Sequence, residues 1–283
     1  MGENWSMTYI IAEIGINHNG SLDLAKKLID AARWCGADAV KFQKRTVEIV
    51  YEGQLDKPRE SPWGLTLGEQ KYGLEFNRKD YDEIDRYCIQ QNMPWFASAW
   101  DIPSLEFLRA YDLPFNKVAS AMATNGEFLQ AIRKDSRKVI LSTGLCNEVQ
   151  INQAVNAIGN NLYAILHCVG AYPAKEEDLN LNYITKLRKN FKKNGMSIKV
   201  GYSGHETSVS PSVVAVALGA RIIERHITLD RSMYGSDQAA SLEPVGFQTM
   251  VQQIRKIPAI LGDGIKTVTK GEEEVARKLR YWM

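Results

Sequence analysis

Short apolar runs rich in β-branched and aromatic residues alternate with amphipathic stretches along the whole chain, and this alternation limits the fold more than any other feature. Such alternation is typical of βα units that build a parallel sheet. The predicted strands span residues 9–14, 39–43, 95–98, 115–119, 139–142, 162–167, 198–203 and 222–226. Eight strands within 283 residues predict a single-domain α/β fold, the closed (β/α)8 or TIM barrel.

The alternative arrangement of such units is an open, doubly wound sheet. That fold class binds dinucleotides through a Gly-x-Gly-x-x-Gly sequence after the first strand. This chain has no such sequence there, and Asn19-Gly20 is only a turn signal. The helices predicted between the strands span residues 22–34, 81–91, 104–110, 149–158, 183–191 and 209–218. The closed barrel is therefore the favoured fold.

Two segments depart from the simple alternation. Residues 45–77 form a long segment after the second strand, rich in proline, glycine and aromatic residues, and loops of this length in compact domains are usually lids or binding loops. We expect Arg59, Trp63 and Tyr72 to fold over the face that carries the active site. Because the end of the chain is highly charged, we divide the chain into a catalytic barrel of residues 1–263 and a helical or linker tail of residues 264–283.

Composition restricts the partners of the protein. The formal net charge is +2 without any basic run, so nothing predicts binding to nucleic acid or to an acidic membrane surface. The first residues lack the basic and apolar regions of a signal peptide, and no apolar run is long enough to span a bilayer. The four cysteines are widely spaced without a Cys-x-x-Cys sequence. We therefore expect a soluble cytoplasmic protein with reduced thiols.

All four histidines of the chain, His18, His167, His205 and His226, fall at or just after the end of a predicted strand. In a β/α barrel the carboxyl ends of the strands meet at one mouth, and this mouth holds the active site. His205 and His226 end consecutive strands, so their side chains can approach one cation from adjacent positions. Two imidazoles with open positions fit a catalytic metal site better than a closed structural one. We therefore predict a divalent metal at this pair.

Further polar side chains lie at the same strand ends, where an apolar core would not select them. They are Glu13, Lys41, Gln43, Ser98, Lys117, Ser120, Ser142, Ser203 and Glu224. Glu13 and Lys41 could form one internal ion pair. The remaining lysine and the serines form a set of donors with too few carboxylates, and such a set suits a bound phosphate or carboxylate. The sequence therefore predicts a phosphorylated substrate.

Seven motifs in order along the chain resemble those of the sialic acid synthase family: AEIGINHNGSLDLAKKLIDAA, KFQ, KVAS, LSTG, GYSGH, ERHIT and GSDQAASLEP. They cover essentially the whole predicted barrel. The resemblance implies an eight-stranded barrel that condenses phosphoenolpyruvate with N-acetylmannosamine or a related sugar aldehyde, giving a nonulosonic acid and phosphate. It also implies a homodimer or a higher homo-oligomer.

Carried over position by position, the resemblance makes His205 and His226 the ligands of a divalent metal, usually Mn²⁺, with Mg²⁺ or Co²⁺ as alternatives. It assigns the phosphoenolpyruvate contacts to Lys41, Ser98, Lys117, Ser120, Ser142 and Ser203. It places around the acceptor sugar and the reacting carbons Glu13, Gln43, Tyr172, Glu224 and Asp237. In this reaction the metal polarises the aldehyde, and a carboxylate transfers protons when water adds. We predict Glu13, Glu224 and Lys41 as the catalytic residues.

Four departures from the family pattern bear on the activity. Residues 120–122 read Ser-Ala-Met where the family has Ser-Gly-Glu, so Met122 replaces a carboxylate and we expect it in the mouth. Gly170 replaces an asparagine expected near the phosphate, and Gln238 replaces a histidine. We also expect the family's C-terminal antifreeze-like domain to be absent. Because a carboxylate is lost, two alternatives stay open, namely an aldolase or lyase acting on a phosphorylated or 2-keto acid, and a catalytically inactive sugar-binding barrel.

Overall fold

The computed structural model describes residues 8–193, 195 and 198–282. Its strands, in chain order, are β1 (Tyr9–Gly15), β2 (Ala39–Lys44), β3 (Pro58–Ser61), β4 (Gly64–Thr66), β5 (Trp95–Ala99), β6 (Asn116–Val118), β7 (Val139–Ser142), β8 (Leu162–Cys168), β9 (Lys199–Gly204) and β10 (Ile222–His226). A closed barrel forms in the order β1, β2, β5, β6, β7, β8, β9 and β10, with every neighbouring pair parallel. The predicted (β/α)8 barrel is confirmed, and the open sheet is excluded.

The helices, in chain order, are α1 (Leu22–Cys35), α2 (Val47–Val50), α3 (Leu67–Leu74), α4 (Arg78–Gln91), α5 (Ile102–Leu108), α6 (Gly126–Arg133), α7 (Glu148–Ile158), α8 (Asn182–Lys193), α9 (Ser210–Ala217), α10 (Pro244–Leu261) and α11 (Lys270–Leu279). The start of α1 is capped by Ser21, whose hydroxyl accepts a hydrogen bond from the backbone N–H of Leu24. Apolar faces of α1, α4, α9 and α10 pack side by side around the strands. This outer layer leaves the carboxyl ends of the strands at one open mouth.

The end of β1 has an irregularity that shapes this mouth. The pairing of β1 with β2 shifts register between Glu13 and Gly15. Gly15 has φ 56°, and a Cβ atom there would lie 3.1 Å from Gln43 Nε2 and 3.2 Å from Glu13 Oε1. Any other residue would be strained in this left-handed backbone, and its Cβ atom would press on both neighbours, so glycine fits the position best. The local geometry lets Gln43 Nε2 donate to Glu13 Oε1 at 2.7 Å.

The long segment of residues 45–77 is ordered into α2, the β3–β4 hairpin and α3. The ring of Trp63 packs edge to face on Tyr234, which belongs to the loop after β10, with the ring centroids 5.8 Å apart. Gln70 Nε2 also donates to the hydroxyl of Tyr234 at 2.6 Å. The segment is therefore anchored to the loop after β10, a strand separated from β2 only by β1.

The last described helix, α11, has a capping box formed by Thr269 and Glu272, and none of its residues is buried. The division into a barrel of residues 1–263 and a tail of residues 264–283 stays a prediction. None of the described helices combines the length and the apolar composition that a bilayer crossing requires. The four cysteines are free thiols.

Candidate active site

The carboxyl ends of the barrel strands enclose a cavity of about 120 Å³, here called the inner cavity. All but one of the predicted site residues line it: Glu13, Lys41, Gln43, Ser98, Lys117, Ser120, Ser142, Tyr172, Ser203, His205, Glu224 and His226. The exception is Asp237, whose Oδ2 lies 3.9 Å from Nδ1 of His226 and which lines a neighbouring cavity. The prediction that polar residues at the strand ends share one site is therefore confirmed for these side chains.

Four buried charges of alternating sign form the floor of the inner cavity. Lys41 Nζ lies 2.7 Å from Glu13 Oε2 and 3.8 Å from Glu224 Oε1. Lys117 Nζ lies 3.7 Å from the same oxygen of Glu224. The predicted ion pair of Glu13 and Lys41 does form, but it lies in the wall of the cavity as part of this larger cluster. Buried charges in a cavity wall are typical of a binding or catalytic site.

The two carboxyl groups of the cluster are pushed in opposite directions. Burial raises the pKa of Glu13 above its ordinary value, although Lys41 opposes the effect. Burial acts in the same sense on Glu224, but the ammonium groups of Lys117 and Lys41 outweigh it and lower the pKa of that carboxyl. Carboxyl pairs separated in this way divide acid and base roles in many enzymes.

Serine hydroxyls hold the charged groups in position. Lys41 Nζ donates to Ser98 Oγ at 3.0 Å, and Lys117 Nζ donates to Ser142 Oγ at 2.7 Å. Ser203 Oγ donates to Glu224 Oε1 at 3.2 Å. These hydrogen bonds fix the position of each ammonium or carboxylate group. Each serine hydroxyl can still form a further hydrogen bond to a ligand.

The two predicted metal ligands lie side by side, with ring centroids 5.5 Å apart. His205 Nδ1 lies 2.8 Å from the carbonyl oxygen of Val169, so Nδ1 carries the proton and Nε2 keeps its lone pair. Cys168 Sγ lies 3.8 Å from the same nitrogen and raises the pKa of His205 in spite of its burial, which makes this imidazole a stronger ligand. The ring of Tyr172 stacks on His205 at 4.0 Å.

His226 is buried, and this burial lowers its pKa to about 3, so the ring is neutral at physiological pH. Its Nδ1 is a buried atom without a hydrogen-bond partner. Two adjacent imidazoles with uncommitted nitrogens fit a divalent cation. Within the described part of the chain, no third His, Cys, Asp or Glu completes a compact ligand group, so the remaining coordination positions would go to substrate or water.

Outside the barrel wall, a buried ion pair braces these histidines. Arg225 precedes His226, and its guanidinium donates to Glu206 Oε1 at 2.7 Å and to Ser212 Oγ at 2.9 Å. Arg225 and Glu206 are both fully buried. Because Glu206 directly follows His205, the pair joins the turn after β9 to β10 and fixes the spacing of the two imidazoles.

The other two histidines have structural roles. His18 stacks on Phe76 with ring centroids 4.0 Å apart, and its Nδ1 accepts from the backbone N–H of Gly20. His167 Nε2 donates to the carbonyl oxygen of Leu179 at 2.6 Å. Neither ring lines the inner cavity. Their positions at strand ends therefore do not mark ligand contacts.

The expectation that Met122 lies in the mouth is wrong. Met122 is 8% exposed and packs in the hydrophobic core, because the turn after β6 directs Ala121 to the cavity instead. Gly170 does line the cavity, and a Cβ atom there would lie 2.8 Å from Cδ2 of Leu145. Gln238 is buried and donates from Nε2 to backbone oxygens of the rim, which is a structural role.

A second cavity of about 220 Å³, here called the outer cavity, adjoins the inner one. It is lined by Ile16, Gln43, Arg45, Val47, Tyr51, Lys71, Leu74, Glu75, Trp100, Tyr172, Ser236 and Asp237. Gln43, Trp100 and Tyr172 line both cavities. The sequence interpretation missed Arg45 and Trp100, although each directly follows the end of a barrel strand. It also expected Arg59, Trp63 and Tyr72 to cover the mouth, but none of these three lines either cavity.

Comparison with known proteins identifies the family. The NeuB family matches residues 28–266. N-acetylneuraminate-9-phosphate synthase of Homo sapiens is 40% identical over 277 residues, which cover 96% of this chain and 76% of the relative. N,N'-diacetyllegionaminic acid synthase of Campylobacter jejuni is 37% identical, with 94% and 81% covered. A crystal structure of N-acetylneuraminic acid synthetase from Leptospira borgpetersenii in complex with citrate superposes with a TM-score of 0.82 at 31% identity, with 98% and 93% covered. The chain is therefore an enzyme that belongs to the NeuB family.

Proposed function

We propose that the enzyme condenses phosphoenolpyruvate with a sugar aldehyde to give a 3-deoxy-2-ulosonic acid and inorganic phosphate. The observation that carries this proposal is the inner cavity, which places two buried lysines and a group of serines beside a pair of metal-competent imidazoles. The synthase names of the relatives support the same class of product, a nonulosonic acid.

The phosphoenolpyruvate site is proposed at Lys41 and Lys117 with Ser98, Ser120, Ser142 and Ser203. Both ammonium groups are buried, so a phosphate or carboxylate that reaches them meets little competition from water. Lys117 is the freer of the two cations, because its hydrogen bonds go to the neutral oxygens of Ser142 and Val118. Lys41 is already paired with Glu13 at 2.7 Å. We therefore assign the larger share of anion binding to Lys117.

A divalent metal, with Mn²⁺ preferred over Mg²⁺ or Co²⁺, would be held by His205 and His226, and when bound it supplies Lewis-acid polarisation of the aldehyde oxygen. Tyr172 and Asp237 lie against these rings and would orient the acceptor. Gln43, hydrogen-bonded to Glu13, would contact the acceptor from the other side.

In the condensation, C3 of phosphoenolpyruvate forms a bond to the aldehyde carbon, and the aldehyde oxygen takes up a proton. Water adds at C2 and loses one proton, which leaves a hydroxyl on C2. The C2–O bond to phosphate then breaks and its electron pair leaves with the phosphate, while the C2 hydroxyl loses its proton to the phosphate and becomes the keto oxygen. One water is consumed and one phosphate is released. Glu13, with its raised pKa, is the proposed proton donor, and Glu224, held anionic by two lysines, is the proposed acceptor.

The test is release of inorganic phosphate from phosphoenolpyruvate in the presence of Mn²⁺ and a panel of aldoses, with the products identified by mass. We expect release that depends on both metal and aldose, and a product heavier than the aldose by one pyruvate unit. Cleavage of a 2-keto acid in the absence of phosphoenolpyruvate would instead support the lyase. Binding of sugars without any turnover would support the inactive barrel. The expected homodimer and cytoplasmic location stay predictions.

A further inference from the structure

The outer cavity carries an excess of positive charge that the proposed condensation does not use. Arg45 and Lys71 line it, and Arg59 on the β3–β4 hairpin lies close enough to influence Lys71. The carboxylates in the lining are Glu75 and Asp237. Whether these two neutralise the cations decides what the cavity can bind.

Arg45 is buried without a carboxylate partner. It is 9% exposed, and its guanidinium lies over the ring of Trp100 at 4.2 Å. Its Nη2 donates to the neutral Oε1 of Gln43, while its buried Nε has no hydrogen-bond partner. Among the residues that the structure describes, no Asp or Glu oxygen lies within ion-pair distance of this guanidinium. A buried cation with an unused donor is costly unless a ligand completes it.

Lys71, on α3, is in a similar position. Its Nζ lies 5.0 Å from the ring centroid of Tyr51, and no carboxylate of the described chain lies within ion-pair distance. Burial lowers the pKa of Lys71, the cations Arg45 and Arg59 lower it further, and Asp237 acts in the opposite sense. Both cations therefore lie in a half-enclosed space that favours the arrival of an anion.

Neither carboxylate of the lining forms an ion pair with Arg45 or Lys71. Glu75 Oε1 accepts from Lys44 Nζ at 2.7 Å and from the backbone N–H of Arg45 at 3.1 Å. Asp237 Oδ1 accepts from Ser236 Oγ at 2.7 Å, and its other oxygen faces His226. Because Glu75 is neutralised by Lys44, the cations Arg45 and Lys71 outnumber the one remaining carboxylate, Asp237, and the lining keeps a net positive charge that suits a phosphate monoester.

We propose, building on the condensation proposed above, that the outer cavity binds a phosphate monoester on the acceptor, so that the second substrate is an aldose phosphorylated at the end away from its aldehyde. Gln43 and Tyr172 line both cavities, so one extended substrate can place its aldehyde at the histidines and its phosphate at Arg45 and Lys71. This phosphate takes no part in bond changes. It stays on the product, and the phosphate released comes from phosphoenolpyruvate.

The experiment compares one aldose with and without the terminal phosphate, beginning with N-acetylmannosamine and its 6-phosphate, in wild type, Lys71→Met, Lys71→Arg and Lys57→Met. Lys57 is the matched control, since it is an exposed lysine of the same segment and does not line the cavity. Loss of one charge-assisted contact should raise the KM of the phosphorylated aldose about ten- to hundredfold in Lys71→Met. Lys71→Arg should keep the KM of the phosphorylated aldose close to that of wild type. The KM of phosphoenolpyruvate should stay within about twofold of the wild-type value in every variant.

The KM of the phosphorylated aldose, measured over a series of pH values, distinguishes a lysine that binds the phosphate from one that is only structural. The charged and titratable groups around Lys71 are Arg45 after β2, Arg59 on β3, Tyr51 after α2 and Asp237 after β10. Because Lys71 is a cation only below its lowered pKa, the KM of the phosphorylated aldose should rise as the pH increases through that pKa. Lys71→Arg should shift the rise to higher pH, because arginine stays protonated.

The outcomes separate this proposal from the condensation itself. If neither the phosphorylated nor the unphosphorylated form of any aldose leads to phosphate release from phosphoenolpyruvate, the proposed condensation is overturned. Equal kcat/KM for the two forms, or an equal change for both in Lys71→Met, would keep the condensation and overturn the phosphate site. Unchanged kinetics of Lys71→Met, with a melting temperature equal to that of wild type, would overturn it as well.

Discussion

Replacing Lys117 by methionine tests whether the inner cavity is an anion site. Lys117 is 2% exposed at the floor of the cavity, and methionine preserves most of its length while removing the charge. The change removes the hydrogen bonds to Ser142 Oγ at 2.7 Å and to the carbonyl of Val118 at 3.2 Å. It leaves Glu224 with a remaining cation, Lys41, at 3.8 Å. Glu224 is therefore not left without compensation, and the fold should survive.

The expected magnitude follows from these contacts. A charge-assisted contact to a phosphate or carboxylate contributes about 1.5 to 3 kcal/mol, and about 1.4 kcal/mol corresponds to a tenfold change in Kd. Lys117→Met should therefore weaken phosphoenolpyruvate binding about ten- to hundredfold. The lost hydrogen bond to Ser142 should lower the free energy of unfolding by only about 1 to 3 kcal/mol.

Calorimetric titration with phosphoenolpyruvate measures the affinity, and a thermal melt shows that each variant is folded. Lys27→Met is the matched control, because Lys27 is exposed on α1, on the outer layer of the barrel. It should bind phosphoenolpyruvate like wild type. A folded Lys117→Met protein with unchanged affinity would refute the assignment of Lys117 and, with it, the location of the phosphoenolpyruvate site.

Three further predictions concern the histidine pair and its supports. His226→Ala, like His205→Ala, should abolish metal-dependent phosphate release while leaving the melting temperature within a few degrees of wild type, and undiminished turnover of either variant in chelated buffer would exclude the metal site. Gly15→Ala should cost about 1 to 2 kcal/mol of stability because of its left-handed backbone, and should reduce kcat by displacing the groups around it; wild-type values of both would contradict this. Arg225→Met leaves a buried carboxylate unpaired and should cost about 3 to 5 kcal/mol in urea denaturation, so a loss below about 1 kcal/mol would argue against the brace.

The residues of the inner cavity could be predicted from the sequence because the barrel fold itself brings all strand ends together. Once eight strands alternate with helices, every strand end reaches the same mouth, and Glu13, Lys117 and Glu224 need no further information to meet. Whether a side chain at a strand end points into the mouth or outward is harder to predict from the sequence. His167 contacts Tyr183 on α8 with ring centroids 5.4 Å apart, so it points outward, and only the phase of β8 determines this.

The outer cavity could not be derived in the same way. Lys71 belongs to α3, far along the chain from Arg45, and reaches the mouth only because the segment between them folds back against the loop after β10. That folding depends on tertiary contacts of Trp63 and Gln70 with Tyr234, and local sequence patterns do not encode such contacts. Met122 was misplaced for a similar reason, since one position in a short turn separates the cavity from the core.

A side chain at position 170 would meet the side chain of Leu145, so substitutions at these two positions are sterically coupled. An asparagine introduced alone at position 170 would collide with the leucine, so a single reversion toward the family residue would measure the collision and not the chemistry of the amide. Leu145 also holds φ 63°, which costs a leucine about 1 to 2 kcal/mol and costs glycine almost nothing. Leu145→Gly removes both the strain and the obstacle, so Gly170→Asn should destabilise the protein less in the Leu145→Gly background than on its own.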